Sequence, residues 1–261
     1  MLRPIRVIER RVLPQGWLDL GRQLLLFGIA YYGYQLVRGA VDGKVAVASW
    51  NATKLIWLEH KLHFFVEPSV QTWATSKNWI MDVTSLAYVN LHFIITVSAL
   101  VWLYLRRNSS FYFVRNMFMV AMALALVGYI LYPTAPPRLM PEWGFTDPVA
   151  QVTGVQEDQG TVGALVNLYA AVPSMHVGMA LMVGISLARL VKPLPLKILW
   201  SLYPVFVTFV VVATGNHYLM DAILGALVAA VSALAASQGF ARLRPAAWRF
   251  YPASIRAEAA T

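Results

Sequence analysis

Hydrophobic positions in this chain fall into long, nearly charge-free windows separated by short charged or proline-rich breaks. The windows cover residues 18–37, 83–105, 116–137, 169–188, 198–216 and 217–241. Each is close to the ~20 residues a helix needs to cross the hydrocarbon of a bilayer. Backbone polar groups have no water partner there, so the windows predict helices. The first is the least clean, with Asp19 and Arg22 at its entry, and the last carries Asp221 near its start.

Between the first and second windows lies a different pattern. Leu55, Leu58, Leu62 and Phe65 recur at helical spacing, with Lys54, Glu59 and Lys61 off the stripe and Trp50, Trp57, Trp73 and Trp79 nearby. This predicts an amphipathic helix over about residues 45–66, lying in the headgroup region. The predicted fold class is therefore an all-α integral membrane protein. Six transmembrane helices and one outer-face amphipathic helix are expected to form a single membrane-embedded domain over residues 1–261.

Composition supports that class. Apolar and aromatic residues make up 59% of the 261 residues and charged ones only 13%, about half the charged share of a soluble domain. A soluble enzyme could not hide that much apolar surface. The net charge of +9 points to a membrane surface and not to nucleic acid, because the basic residues flank the apolar windows and form no patch. Five precede or enter the first window (Arg3, Arg6, Arg10, Arg11, Arg22). Arg106, Arg107 and Arg115 fall between the second and third, and Arg189, Lys192 and Lys197 between the fourth and fifth. Arg242, Arg244, Arg249 and Arg256 follow the sixth. The positive-inside rule makes that side cytoplasmic, with both termini on it. The expected location is the cell membrane, multi-pass, with the N-terminal segment a retained anchor. Cysteine is absent, which excludes thiolate chemistry.

Candidate chemistry collects at the opposite, outer ends of the spans, in three segments: Tyr132–Leu139 with Arg138, Pro173-Ser174-Met175-His176, and Thr214–Asp221 with Asn216 and His217. His217 and Asp221 are four apart, so a helix would put them on one face, with Thr214 or Asn216 as its N-cap. A carboxylate on one ring nitrogen fixes the tautomer and frees the other nitrogen. Pro173 suits a first helical turn, Ser174 a cap, and His176 then sits where helix dipole and free N–H groups favour an anion. Arg138 follows two prolines that stiffen it, and a held guanidinium matches phosphate oxygens. The long 134–168 loop, which contains Asn167, is itself a functional candidate. Three histidines lie elsewhere. His60 and His63, beside Glu59 and Glu67, read as the wet face of the interfacial helix in preference to a metal site. His92 reads as a buried hydrogen-bonded residue or a cavity wall.

Together, the arginine segment, Pro-Ser-x-His and His-x-x-x-Asp resemble the type 2 phosphatidic acid phosphatase superfamily, whose pattern is KxxxxxxRP, PSGH and SRxxxxxHxxxD. The departures are that Leu131 stands at the lysine, Leu139 follows Arg138, Met175 replaces the glycine, and Val210 and Val211 replace the Ser-Arg pair. In these the chain is most similar to the inositol phosphorylceramide synthase branch and its bacterial relatives. The resemblance implies a lipid phosphatase or phosphotransferase with a membrane lipid as substrate and no cofactor or metal. In it His217 is the nucleophile, forming a phosphohistidine. Asp221 orients it, and His176 protonates the leaving oxygen. Arg138, with Ser174 and Asn216, belongs to the substrate-binding set. Two missing cations favour a phosphodiester donor, as in a dedicated head-group transferase. The rivals are a non-catalytic lipid-binding or scaffold protein and a metal-dependent hydrolase.

Overall fold

The computed structural model describes residues 13–41, 44–153 and 169–250. Arg3, Arg6, Arg10, Arg11, Asn167 and Arg256 lie outside the described residues, as does much of the 134–168 loop. The principal helices are α1 (Gly16–Val41), α2 (Val45–Lys61), α3 (Glu67–Thr75), α4 (Asn78–Arg106) and α5 (Asn108–Leu131). They continue as α6 (Pro148–Thr153), α7 (Met175–Leu190), α8 (Leu194–Ala213) and α9 (Leu219–Leu243). Four of them, α4, α5, α8 and α9, are long and apolar enough to cross a membrane. Helix α7 is apolar but has 16 residues. Helix α1 has 26, interrupted by Asp19, Arg22 and Gln23. Those polar residues dock it: Tyr104 and Tyr112 both donate to Asp19 Oδ2, at 3.1 and 2.8 Å, and Arg115 donates to Gln23 Oε1 at 2.9 Å.

Three helix ends differ from the hydropathy windows, all for a backbone reason. Residues 132–137, expected inside the third span, leave the helix because Pro133, Pro136 and Pro137 lack the N–H that would extend it. Residues 169–174 form a turn, a bridge at Ala170 and bends leading to the extended cap Ser174, and α7 starts only at Met175. The turn after Ala213 passes through Gly215 at φ +68, and α9 starts at Leu219. Thus Tyr218, not Thr214 or Asn216, is the N-cap, and His217 precedes the helix.

Helix α7 runs through the centre, packed by α4, α5, α8 and α9. Its Val177, Ala180, Met182, Val183 and Leu187 are buried, whereas the outer faces of the others expose Phe93, Leu131, Val205 and Leu227. Such apolar exteriors suit lipid. Helices α7 and α9 cross backbone to backbone. A Cβ on Gly178 would sit 3.0 Å from the Gly225 carbonyl oxygen, and one on Gly225 would collide with that of Ser174. Small residues at such crossings let polar backbone ends approach.

Helix α2 lies over the ends of these helices, but not by the predicted stripe. Leu58 and Leu62 are exposed, and the buried face is Ala48, Asn51, Ala52, Leu55, Ile56 and Glu59. The two alanines permit close docking, with Ala135 N donating to Ala48 O at 3.2 Å and Asn51 Nδ2 to Pro133 O at 2.8 Å. Trp50, Trp57, Trp73 and Trp79 all point outward. The wet face expected for His60 and His63 is found, but the two glutamates beside them do not share it. His60 and His63 are exposed, but Glu59 and Glu67 are fully buried. Among the described residues no group of three or more His, Asp or Glu is disposed to hold a metal ion.

Candidate active site

The three segments singled out in the sequence meet at one end of the helix cluster. Thr134 pairs with the strand-like stretch before α7, its N–H donating to Tyr169 O at 2.9 Å. Arg138 N donates to Gly215 O at 2.8 Å, tying the arginine segment to the turn before α9. Ser174 N donates to Asp221 O at 3.0 Å, tying the start of α7 to that of α9. Two of these ties are made by turns that proline and positive φ create, so local backbone chemistry assembles the site.

His217 is 5% exposed. Its Nδ1 faces two acceptors, Ala171 O at 3.0 Å and Asp221 Oδ2 at 3.4 Å. Only a protonated Nδ1 satisfies that geometry, which leaves the lone pair on Nε2. Nε2 lies 3.3 Å from Nδ1 of His176. Asp221 Oδ2 also accepts from Tyr218 N at 2.9 Å. The His–Asp proximity therefore comes from a capped turn and not from a shared helical face. The His176 ring is held in turn, stacked on Tyr88 with centroids 4.9 Å apart and packed 5.1 Å from His92.

Arg138 is buried, donates through Nη1 to Asn216 Oδ1, and forms an ion pair with Asp147 at 3.7 Å. Asn216 is fixed by its own donation to Thr214 Oγ1 at 2.9 Å. It therefore orients the guanidinium as well as lining the cavity. Ser174 has another task. Its Oγ accepts from Val177 N at 3.4 Å, capping α7, and it is not on the cavity wall. Pro173 precedes the cap and is not in the first turn.

Arg138, Asn216, His176 and His217 border a cavity of about 390 Å³. The rest of its wall is largely aromatic and apolar, with Tyr34, Tyr88, Tyr129, Met122 and Met179. His92 belongs to the wall and is also buried, with Nδ1 2.9 Å from Tyr203 Oη. It thus combines both expected roles. Among the described residues, Arg138 is the only lysine or arginine on this wall. Tyr88 carried no sequence signal. Its neighbour His92 did, and the π-helical turn Ala87–Leu91 between them turns both rings toward His176.

The sequence profile of the PAP2 superfamily matches residues 53–235, more than half of the chain and all three segments. The chain belongs to the PAP2 superfamily. No curated protein and no solved structure matches it. Members of this superfamily are typically phosphatases or phosphotransferases, and apolar helices at this length fit a multi-pass membrane protein.

Proposed function

We propose that this PAP2 protein is a metal-independent lipid phosphatase or phosphotransferase that works through a phosphohistidine on His217. The observation that carries the reading is the orientation of the His217 ring. Its Nδ1 is committed to Ala171 O and Asp221, and its Nε2 lone pair points to His176 inside a cavity that also holds Arg138.

In the first step Nε2 attacks phosphorus, the P–O bond to the lipid alcohol breaks, and His176 gives its proton to the departing oxygen. Phosphorus must enter where the two rings now touch, so substrate binding separates them. Positive charge that develops on His217 is balanced by Asp221. Arg138, held by Asn216, pairs with the phosphoryl oxygens. In the second step a hydroxyl oxygen, from water or a lipid alcohol, attacks phosphorus. The P–N bond breaks and His176 takes the proton back.

A second reading is favoured by the charge of the wall. Among the described residues Arg138 is its one fixed cation, and it already faces Asp147. A phosphodiester carries one charge where a phosphomonoester carries two, so the site suits head-group transfer from a phosphodiester donor. The topology proposed with it has six spans, with α1 and the short α7 joining the four long helices. The termini are then cytoplasmic and the site outward. Supporting this, Arg106 and Arg189 lie at helix ends remote from the histidines.

The test uses the purified protein in detergent with EDTA and a panel of lipid phosphomonoesters and phosphodiesters, with products followed by mass spectrometry. Free phosphate or a transferred head group, absent with His217→Ala, is expected. Turnover that EDTA abolishes, or that survives in His217→Ala, would refute the histidine mechanism. Stable lipid binding without product would favour a scaffold.

A further inference from the structure

Behind the histidines lies a second constellation that the reaction scheme does not use. Glu59, near the end of α2, and Glu67, at the start of α3, are both fully buried. Glu67 Oε1 accepts from Leu219 N at 2.8 Å and Glu59 Oε1 from Met220 N at 2.8 Å. Asp221 takes the preceding N–H, that of Tyr218. Three carboxyl groups thus clamp three consecutive N–H groups at the start of α9, directly after His217. Such N–H groups have no partner within their own helix.

The other carboxyl oxygens are the anomaly. Glu59 Oε2, Glu67 Oε2 and Asp221 Oδ1 are buried and receive no donor among the described residues, while the Glu59 and Glu67 carboxyls lie within hydrogen-bonding reach of each other. Among the described residues the charged neighbours that act on Glu59 are acidic, Glu67 from α3 and Asp221 from α9. Tyr218 faces the same acids and Glu142. Two ionised carboxylates cannot share a dry site without a cation, whereas one proton between them supplies the missing donor.

We propose that Glu59 and Glu67 are positioning residues for the reaction: sharing one proton, they clamp the first turn of α9 and so fix Asp221 and the ring of His217. Burial, and then the neighbouring Glu67, raise the Glu59 carboxyl to about 9. The clamp holds Asp221 beside the His217 ring, where it faces the cationic histidine intermediate. The catalytic part of this inference rests on the proposed histidine chemistry, but the shared proton does not.

The test is the melting temperature of the full protein in detergent from pH 5 to 9, for wild type and Glu59→Gln. The folded state holds a proton that the unfolded chain releases near its ordinary value of 4.5. Wild type therefore loses stability as pH rises from about 4.5 to about 9. Glutamine keeps the acceptor for Met220 N–H and needs no proton. Its melting temperature should gain on wild type steadily across that range. A pH-independent difference would overturn proton sharing. For positioning, Glu59→Ala should lower kcat about 10- to 100-fold with KM nearly unchanged, and Glu59→Gln should restore most of it at pH 7. Equal losses in both variants, or a loss confined to KM, would overturn that role. If wild type turns over no lipid, the chemistry fails alone, because the melting curves still report on the pair.

Discussion

Gly225→Ala tests how helix packing outside the cavity wall controls the chemistry. The added Cβ would fall on the Ser174 carbonyl oxygen and 3.4 Å from Gly178 N. Both obstacles are backbone, so no side chain can rotate out of the way. Ordinary van der Waals contact begins near 3.4 Å, so the starts of α7 and α9 must part by about 1 Å. Those two starts carry His176 and Asp221, and Ser174 N is itself bonded to Asp221 O. The 3.3 Å contact between His176 and His217 opens with them. Overpacking of this kind costs about 1–3 kcal/mol of stability, and a misplacement of about 1 Å at a reacting centre costs about 100-fold in rate. The assay compares kcat and melting temperature with Gly28→Ala, where an added Cβ meets nothing within 4 Å. Gly225→Ala should lose about 100-fold in kcat and several degrees, and Gly28→Ala neither. Turnover within about threefold of wild type in Gly225→Ala would refute the claim that this crossing sets the distance between the histidines.

Other outcomes follow from the same geometry. Asp221→Asn keeps the shape but loses the charge that balances His217, so kcat should fall about 100- to 10,000-fold; unchanged kcat would make Asp221 structural. Arg138→Lys keeps one charge but not the planar fork held by Asn216, and turnover with a phosphodiester should drop at least about tenfold. Gly215→Ala forces a side chain to φ +68 and against Thr146 O at 3.3 Å. Its melting temperature should fall by an amount corresponding to about 1–2 kcal/mol, with loss of activity because Arg138 N is bonded to Gly215 O.

Much of the site was readable before the structure, because it is built from punctuation. Pro136, Pro137 and Gly215 mark the turns that bring Arg138 beside Asn216, and the spacing of His217 and Asp221 survives even though a capped turn creates it and not a helical face. The hydropathy windows located the helices but overran their ends at residues 132–137 and 169–174, since apolarity says nothing about missing N–H donors. The amphipathic stripe at Leu58 and Leu62 misjudged the docking face of α2. Close approach there is governed by Ala48 and Ala52, and a stripe of large residues can equally well face lipid. The burial of Glu59 and Glu67 has no sequence signal, because charge normally seeks water. Nothing local in sequence shows that the N–H groups of Leu219 and Met220, some 150 residues away, would receive them.

The central claim is the covalent intermediate on His217. The most direct measurement is acid-free rapid quenching of the protein mixed with a turned-over lipid phosphate ester, followed by peptide mass spectrometry under conditions that preserve phosphoramidates. The account predicts a phosphoryl adduct on the peptide containing His217, accumulating in His176→Ala with an ester whose alcohol is acidic enough to leave without protonation, and absent in His217→Ala. An adduct on any other residue, or full turnover with no adduct at any quench time and inversion at a chiral phosphorus, would contradict it.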